Sequence, residues 1–433
     1  MTSIAKRVSL NELFRENLKI GFLSFGGPAG QISLMHRIFV DQKKWVEERH
    51  YLHALDYCML LPGPEAQQLA IYVGWILRGV WGGVIAGVLF VAPGALLMFA
   101  LAWIYAAYTD IPAVSAIFYG VKAAVLAIVV EAVIKISKRA LKGRVEFGVA
   151  GIAFILLFLF GAPFPAVILG AALFGALNAV RSPPAAPLEV SDQPSAGSVW
   201  GALGAALVWG LLWLGPVAMA TLMLGRDHVV TRVGWLFSHL AVVTFGGAYA
   251  VLAYLQQQAV ELEHWLSAAQ MIDGLGLAET TPGPLVLVNQ FVGFLAGWNN
   301  PDGGLWLAAA CAAMASWCTF APSFLWIFAG APLLENLRRN RFAAGALRAI
   351  TAAVLGVVLN LAVWFGLHVV FGMLVEVDMA WGRDLAVPVL ESIDAIALMI
   401  VAIACLLLIK LRINLILVIG ICAGLGLVTL PLR

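Results

Sequence analysis

The chain has 433 residues, of which 62% are hydrophobic and 12% charged, with a net charge of +2. That is too little charge to cover a soluble protein of this size, and too small a net charge to favour nucleic acid. Apolar runs of about 20 residues recur along its length, each able to cross a hydrocarbon core of roughly 30 Å, so a polytopic protein embedded in the lipid bilayer is expected. Fifteen Trp and eight Tyr suit two interfacial belts.

The chain opens with a polar, charged segment (Lys6, Arg7, Asn11, Glu12, Arg15, Glu16, Lys19). It has no apolar stretch ahead of a small-residue site, so no cleavable signal peptide is expected. Ser9 and Glu12 have capping-box spacing, which predicts a short amphipathic helix on the membrane surface. All-α spans are then expected at about 20–40, 52–77, 80–106, 111–135, 146–161, 163–180, 197–224, 235–260, 266–298, 303–328, 345–372, 387–409 and 413–431, thirteen in all. Gly161-Ala162-Pro163 and Pro165 predict a tight hairpin between the fifth and sixth. A polar, Pro-rich stretch from Arg181 to Ser195 reads as an extended linker. The expected organisation is a first repeat at 1–180 with its N-terminal amphipathic segment, a linker at 181–196, a linking span at 197–224 and a second repeat at 225–433.

The two sides of the linker match. Ser24-Phe25-Gly26-Gly27 faces Thr244-Phe245-Gly246-Gly247, Trp45 faces Trp265, and Pro62-Gly63-Pro64 faces Pro282-Gly283-Pro284, all at a shift of 220. After an insertion around 299–304 the shift becomes 229, with Ala92-Pro93 facing Ala321-Pro322 and residues 123–126 facing 352–355. Duplicated halves are a recurrent transporter design. Charge sets their relative orientation. The loop carrying Lys135, Lys138, Arg139, Lys142 and Arg144 faces a segment, 364–373, without Lys or Arg. Conversely, Arg338, Arg339, Arg341 and Arg348 face 109–119, which has Asp110 and no cation. Basic loops stay cytoplasmic, so equivalent loops lie on opposite sides and the repeats are expected to be inverted, six spans, one linking span and six spans. The N-terminus and linker would be cytoplasmic; residues 376–378 and the C-terminus would lie outside.

The Phe-Gly-Gly and Pro-Gly-Pro motifs interrupt apolar spans. Proline removes a backbone donor and blocks the preceding turn, and glycine permits conformations that other residues resist. Unpaired backbone in lipid costs several kcal/mol per group, so such breaks belong inside protein or beside a watery cavity. They leave half-helix N-termini whose free N–H groups favour an anion. The expected substrate-binding set is therefore Ser24, Gly26, Gly27, Pro62, Gly63, Pro64, Glu65, Gln67, Gln68, Thr244, Gly246, Gly247, Thr281, Pro282, Gly283, Pro284 and Asn289, joined by the cations Arg78 and Lys122. Glu279 and Thr280 stand just before the second Pro-Gly-Pro, and Gln290 just after it. Alternatives stay open for several. Ser24 and Thr244 can bond their own helix backbone, and Arg78 and Lys122 can snorkel to the interface. Glu65 can cap the break or carry a proton, as can Glu131 near a span end. The halves are not chemically equivalent: Glu65, Gln67 and Gln68 face Leu285, Leu287 and Val288. The five cysteines lie in apolar runs without metal-ligand spacing, and no cofactor motif or catalytic triad is present, so neither metal nor cofactor is expected.

Together these motifs resemble the chromate ion transporter family in its long, two-domain form. The carrying residues are Ser24-Phe25-Gly26-Gly27-Pro28, Leu61-Pro62-Gly63-Pro64-Glu65-Ala66-Gln67-Gln68, Thr244-Phe245-Gly246-Gly247, Thr281-Pro282-Gly283-Pro284 and the Ala-Pro steps at Pro93 and Pro322. The resemblance implies a non-enzymatic secondary transporter that exports chromate across the inner membrane and confers chromate resistance. Sulfate, a similar dianion, would be a competitor. A passive anion channel, or a transporter of another oxyanion such as sulfate, is the alternative, and a homodimer is left open. One departure stands out: Ala248 follows the second Gly pair where Pro28 follows the first, so a milder second break is expected.

Overall fold

The computed structural model describes residues 8–179, 199–244, 247–338, 341–379 and 383–432. The expected linker and Gly246 lie outside the described residues.

The first half carries α1 (Leu10–Leu23), α2 (Gly27–His36), α3 (Glu48–Cys58), α4 (Glu65–Tyr108), α5 (Pro112–Ala140), α6 (Arg144–Phe158) and α7 (Phe164–Asn178). Then come α8 (Val199–Leu224), α9 (Val229–Val243), α10 (Ala248–Gln256), α11 (Ala268–Thr280), α12 (Val288–Trp298), α13 (Leu305–Arg338), α14 (Arg341–Val370), α15 (Ala395–Cys405) and α16 (Leu415–Val428). Among the described residues, five helices are long and apolar enough to cross a membrane, within α4, α5, α8, α13 and α14, and five shorter apolar helices accompany them. The chain is a multi-pass membrane protein.

Local sequence explains the boundaries. Ser9 caps α1 by accepting a hydrogen bond from the Glu12 amide at 3.1 Å. Lys43, in the turn after α2, reaches back to α1, with Nζ 2.7 Å from Glu16 and 3.4 Å from Glu12. Its hydrogen bond to Glu16 holds the ammonium pKa above the ordinary lysine value. α4 is continuous in hydrogen bonding but reverses at Arg78 and Gly79, whose backbone is non-helical. Its limbs then pack closely, with Gly74 and Gly82 each lying against the other's carbonyl. The expected spans at 52–77 and 80–106 meet at this turn. The hairpin expected around Pro163 also forms, with Gly161 at φ 58° between α6 and α7. Single π-turns end α2 at Arg37–Gln42 and α10 at Gln257–Leu262, each followed by a left-handed residue, Lys44 at φ 51° and His264 at φ 52°. Both pairs are 220 residues apart.

One element departs from an all-helical fold. Residues Leu374–Met379 (β1) and Arg383–Pro388 (β2) pair as an antiparallel hairpin, with Glu376 opposite Ala386. The alternating Val-Glu-Val-Asp pattern satisfies strand periodicity there, and the span expected from 387 becomes helical from Ala395.

The chain divides into two compact units, and each draws segments from both sides of the linker. The first comprises residues 1–99, 174–248 and 281–347, and the second 100–173, 249–280 and 348–433. In the second, α5 packs on α15 and α16, where Gly120 lies against the Cys422 carbonyl and Gly426 against the Ala116 carbonyl. Gly356 of α14 likewise lies against the Ala150 carbonyl of α6. Small residues permit this close approach where lipid gives no hydrophobic drive for association.

Candidate functional site

The first unit contains both Pro-Gly-Pro breaks and the segments around both Gly pairs. Each Pro-Gly-Pro glycine is left-handed, Gly63 at φ 106° and Gly283 at φ 100°. Gly27 and Gly247 are left-handed as well, at φ 67° and 101°. These positive φ values open the helix and turn the amide outward.

The amides are not left free. The Gly63 amide donates to the Thr244 carbonyl at 3.1 Å, and the Gly283 amide donates to the Ser24 carbonyl at 2.8 Å. Both donors and both acceptors are related by the 220 shift. Each break is therefore closed by the Gly-pair segment of the opposite half. The hydroxyls of Ser24 and Thr244 bond back into their own helices, to Ile20 and Leu240 at 2.7 and 2.5 Å. At these two positions the carbonyl, not the hydroxyl, makes the long-range bond.

Amide side chains brace the exchange. Gln31 Nε2 donates to the Gly283 carbonyl at 2.6 Å, and Gln68 Nε2 to the Pro62 carbonyl at 2.7 Å. Gln67 Nε2 lies 3.5 Å from the Phe320 carbonyl of α13. Asn289 Nδ2 donates to the Thr319 hydroxyl at 3.0 Å, and Gln290 Nε2 to the Ala95 carbonyl at 2.9 Å. Among the described residues, every buried polar side chain in this unit is a neutral amide or hydroxyl. Several keep an unpaired buried atom: Gln67 Oε1, Gln68 Oε1, Asn289 Oδ1 and Ser323 Oγ. Such groups are costly unless a ligand or water meets them.

The two breaks are unequal. A β-carbon on Gly63 would come within 3.3 Å of Gln68 Nε2 and 3.9 Å of Ser323 Oγ, a polar surround. One on Gly283 would meet Leu287 at 3.1 Å, Gly94 at 3.6 Å and the Phe90 carbonyl at 3.8 Å. Ser323 and Gly94 correspond under the 229 shift, so serine occupies on one side the place glycine occupies on the other. Gly94 lies directly against the Pro282 carbonyl, where a β-carbon would clash with backbone. Gly94→Ala should therefore cost about 1–3 kcal/mol of stability through overpacking. Thermal unfolding in detergent should show a lowered midpoint; an unchanged midpoint would mean the second break can move away.

Residues 11–176 and 231–427 match the family described as Chromate transporter. The chain belongs to the chromate transporter family. It is a family of transporters rather than enzymes. Among relatives, the chain is 30% identical to the chromate transport protein of Pseudomonas aeruginosa, over 81% of this chain and 80% of that one. It is 29% identical to the chromate transport protein of Cupriavidus metallidurans, over 82% of each chain. An uncharacterized transporter of Methanocaldococcus jannaschii is 24% identical over 82% of this chain and 84% of its own. No solved structure matches the chain.

The remaining residues expected at the site of this chromate transporter family member fall elsewhere. Arg78 is exposed at the α4 reversal, and its Nε bonds the Val8 carbonyl. It lies thirteen residues beyond Glu65, about 20 Å along a helix. Lys122 belongs to the second unit, where Nζ is 3.5 Å from Asp273 of α11. Tyr105 donates to the same Asp273 carboxylate at 2.8 Å. Glu131 pairs with Lys135 at 2.7 Å, one turn along α5. Glu65 begins α4, half-buried, with Oε1 3.8 Å from where a β-carbon on Gly247 would stand. Thr281 is buried beside the second break.

Sequence reasoning missed Gln31, Thr319, Ser323 and Asp273. A signal existed for two of them. Ser323 follows the Ala-Pro step already matched between halves, and Asp273 is a carboxylate inside an expected span.

Proposed function

We propose that the chain is a secondary active transporter that exports chromate across the inner membrane, and that the two Pro-Gly-Pro breaks form one oxyanion site in the first unit. The observation that carries this reading is the reciprocal bonding of Gly63 to Thr244 and of Gly283 to Ser24 within a buried, uncharged polar lining. The chromate transport proteins among its relatives support the substrate. The first-turn amides of α4 and the Ser323 hydroxyl are the donors, and the site lies nearer the first break because Gly94 and Leu287 crowd the second. Neutral donors hold a dianion without trapping it, as release requires. An inside-negative potential favours outward movement of a −2 charge by about 2.3 kcal/mol per charge per 100 mV. Sulfate, with the same shape and charge, competes.

The pairing of motifs at 220 and 229 residues, with basic loops exchanged, supports two inverted repeats joined by α8, thirteen spans and a cytoplasmic N-terminus. Single cysteines at 138–142 and at 341 should label from the same, cytoplasmic side. Labelling from opposite sides would refute the inversion.

Uptake of radiolabelled chromate into everted vesicles tests the function. Accumulation above the outside concentration, reduced by sulfate and by collapse of the voltage, is expected. Equilibration without accumulation would instead make the protein a passive anion channel.

A further inference from the structure

The first unit buries neutral polar groups, whereas the second buries two carboxylates, both on α11. Asp273 and Glu279 are 3% and 6% exposed. They stand six residues apart, about 9 Å along the helix. Charged groups at membrane depth are costly and mark ion or proton pathways.

Their surroundings differ. Asp273 is faced by the Lys122 ammonium from α5 at 3.5 Å and by the Tyr105 phenol from α4 at 2.8 Å. Protonating it would leave Lys122 without its counter-charge, so this pair is a fixed ionic element. Glu279 is faced by a neutral group, the Tyr249 phenol of α10, at 2.9 Å. Glu131 and Lys135 of α5 act on Glu279 through space. Those two form a partly exposed ion pair, with side-chain exposures of 23% and 69%. A buried carboxylate that accepts a hydrogen bond from a phenol can take up a proton without stranding a cation. The Glu131–Lys135 pair offers the step towards water.

None of this is duplicated. Under the 220 shift Glu279, Asp273 and Tyr249 correspond to Met59, His53 and Ala29. Under the 229 shift Lys122 and Glu131 correspond to Thr351 and Asn360. The network is an addition to the repeat rather than part of it. Its place in the chain is also specific. Glu279 stands four residues before Gly283, and Tyr249 two residues after Gly247. The Tyr249–Glu279 bond therefore joins the segments that run into the second half's two breaks.

We infer that Glu279 is a proton-binding site that couples proton movement to anion transport, with Tyr249 as its hydrogen-bond partner and Asp273–Lys122 as a fixed pair. The inference rests on oxyanion transport as the activity, and names its co-ion.

The test uses the full chain in proteoliposomes loaded with a fluorescent pH dye, with chromate flux and lumenal pH followed together. In wild-type protein, chromate movement should be accompanied by a pH change that persists when the voltage is clamped. In Glu279→Gln, whatever chromate flux remains should carry no protons, and Glu279→Asp should restore the proton signal. Wild-type chromate flux without a pH change overturns the inference, as does an unaltered proton-to-chromate ratio in Glu279→Gln. Absence of wild-type chromate flux overturns the transport reading instead. Should Glu279→Gln fail to reconstitute, modification of the wild-type protein by a hydrophobic carbodiimide decides. Mass mapping should place the adduct on Glu279, more at lower pH, and an unmodified Glu279 overturns the inference.

Discussion

Gly63→Leu and Gly283→Leu should each abolish chromate resistance and chromate uptake while the protein still reaches the membrane. Both glycines are left-handed, at φ 106° and 100°. A leucine there carries backbone strain of order 1–3 kcal/mol. Relaxing that strain swings the amide away from Thr244 or Ser24, and the reciprocal bond to the opposite half is lost. A buried amide and carbonyl would then be unpaired in a region where water is scarce. The two substitutions should act by different routes. In Gly63→Leu the new side chain would displace Gln68 and Ser323, removing polar ligands, whereas in Gly283→Leu it would press on Leu287 and Gly94. Growth on chromate, vesicle uptake and membrane immunoblotting check this together. Full resistance in both variants would sink the assignment of the breaks to the site.

The second large effect is expected at Lys122. Replacing it with Met removes the counter-charge of a nearly buried carboxylate and leaves Asp273 with Tyr105 alone among these partners. Breaking one side of such a pair costs about 3–5 kcal/mol. The double variant Lys122→Met, Asp273→Asn should recover most of that loss, because no uncompensated charge remains. Thermal unfolding in detergent reads both. A single variant as stable as wild type would show that the pair contributes nothing structural, and would return Lys122 to the set of cations available to an anion.

Much of the helical outline was legible in the sequence because it rests on local chemistry. The turn at Arg78–Gly79, the hairpin at Gly161–Pro163 and the openings at Gly63 and Gly283 all follow from glycine and proline acting on their own segment. The equivalence of the halves was legible for the same reason, since matched motifs keep their spacing. What closes the breaks was not. That the Gly63 amide would find Thr244, 181 residues away, is a tertiary pairing that no local pattern encodes. The 220 shift links residues in equivalent positions; the bonds instead cross between the two kinds of motif. Lys122 could be seen as an unusual charge, but its partner Asp273 sits on a helix from the other half, so proximity was invisible. The hairpin at 374–388 was passed over because its alternating pattern is short and lies between strong apolar spans.

The unequal lining of the breaks sharpens the account. Glu65, Gln67 and Gln68 against Leu285, Leu287 and Val288 already separated the halves in sequence. The pairing of Ser323 with the first break and of Gly94 with the second extends that asymmetry to α13 and α4. Duplication supplied two openings, and divergence made one of them polar.

The central claim is that two breaks make one site. Equilibrium binding of radiolabelled chromate to the purified protein tests it most directly, with Gly63→Leu and Gly283→Leu measured beside wild type. The account predicts one chromate bound per chain, and loss of that binding in either variant. Two chromates per chain, with each variant losing one and keeping the other, would contradict it.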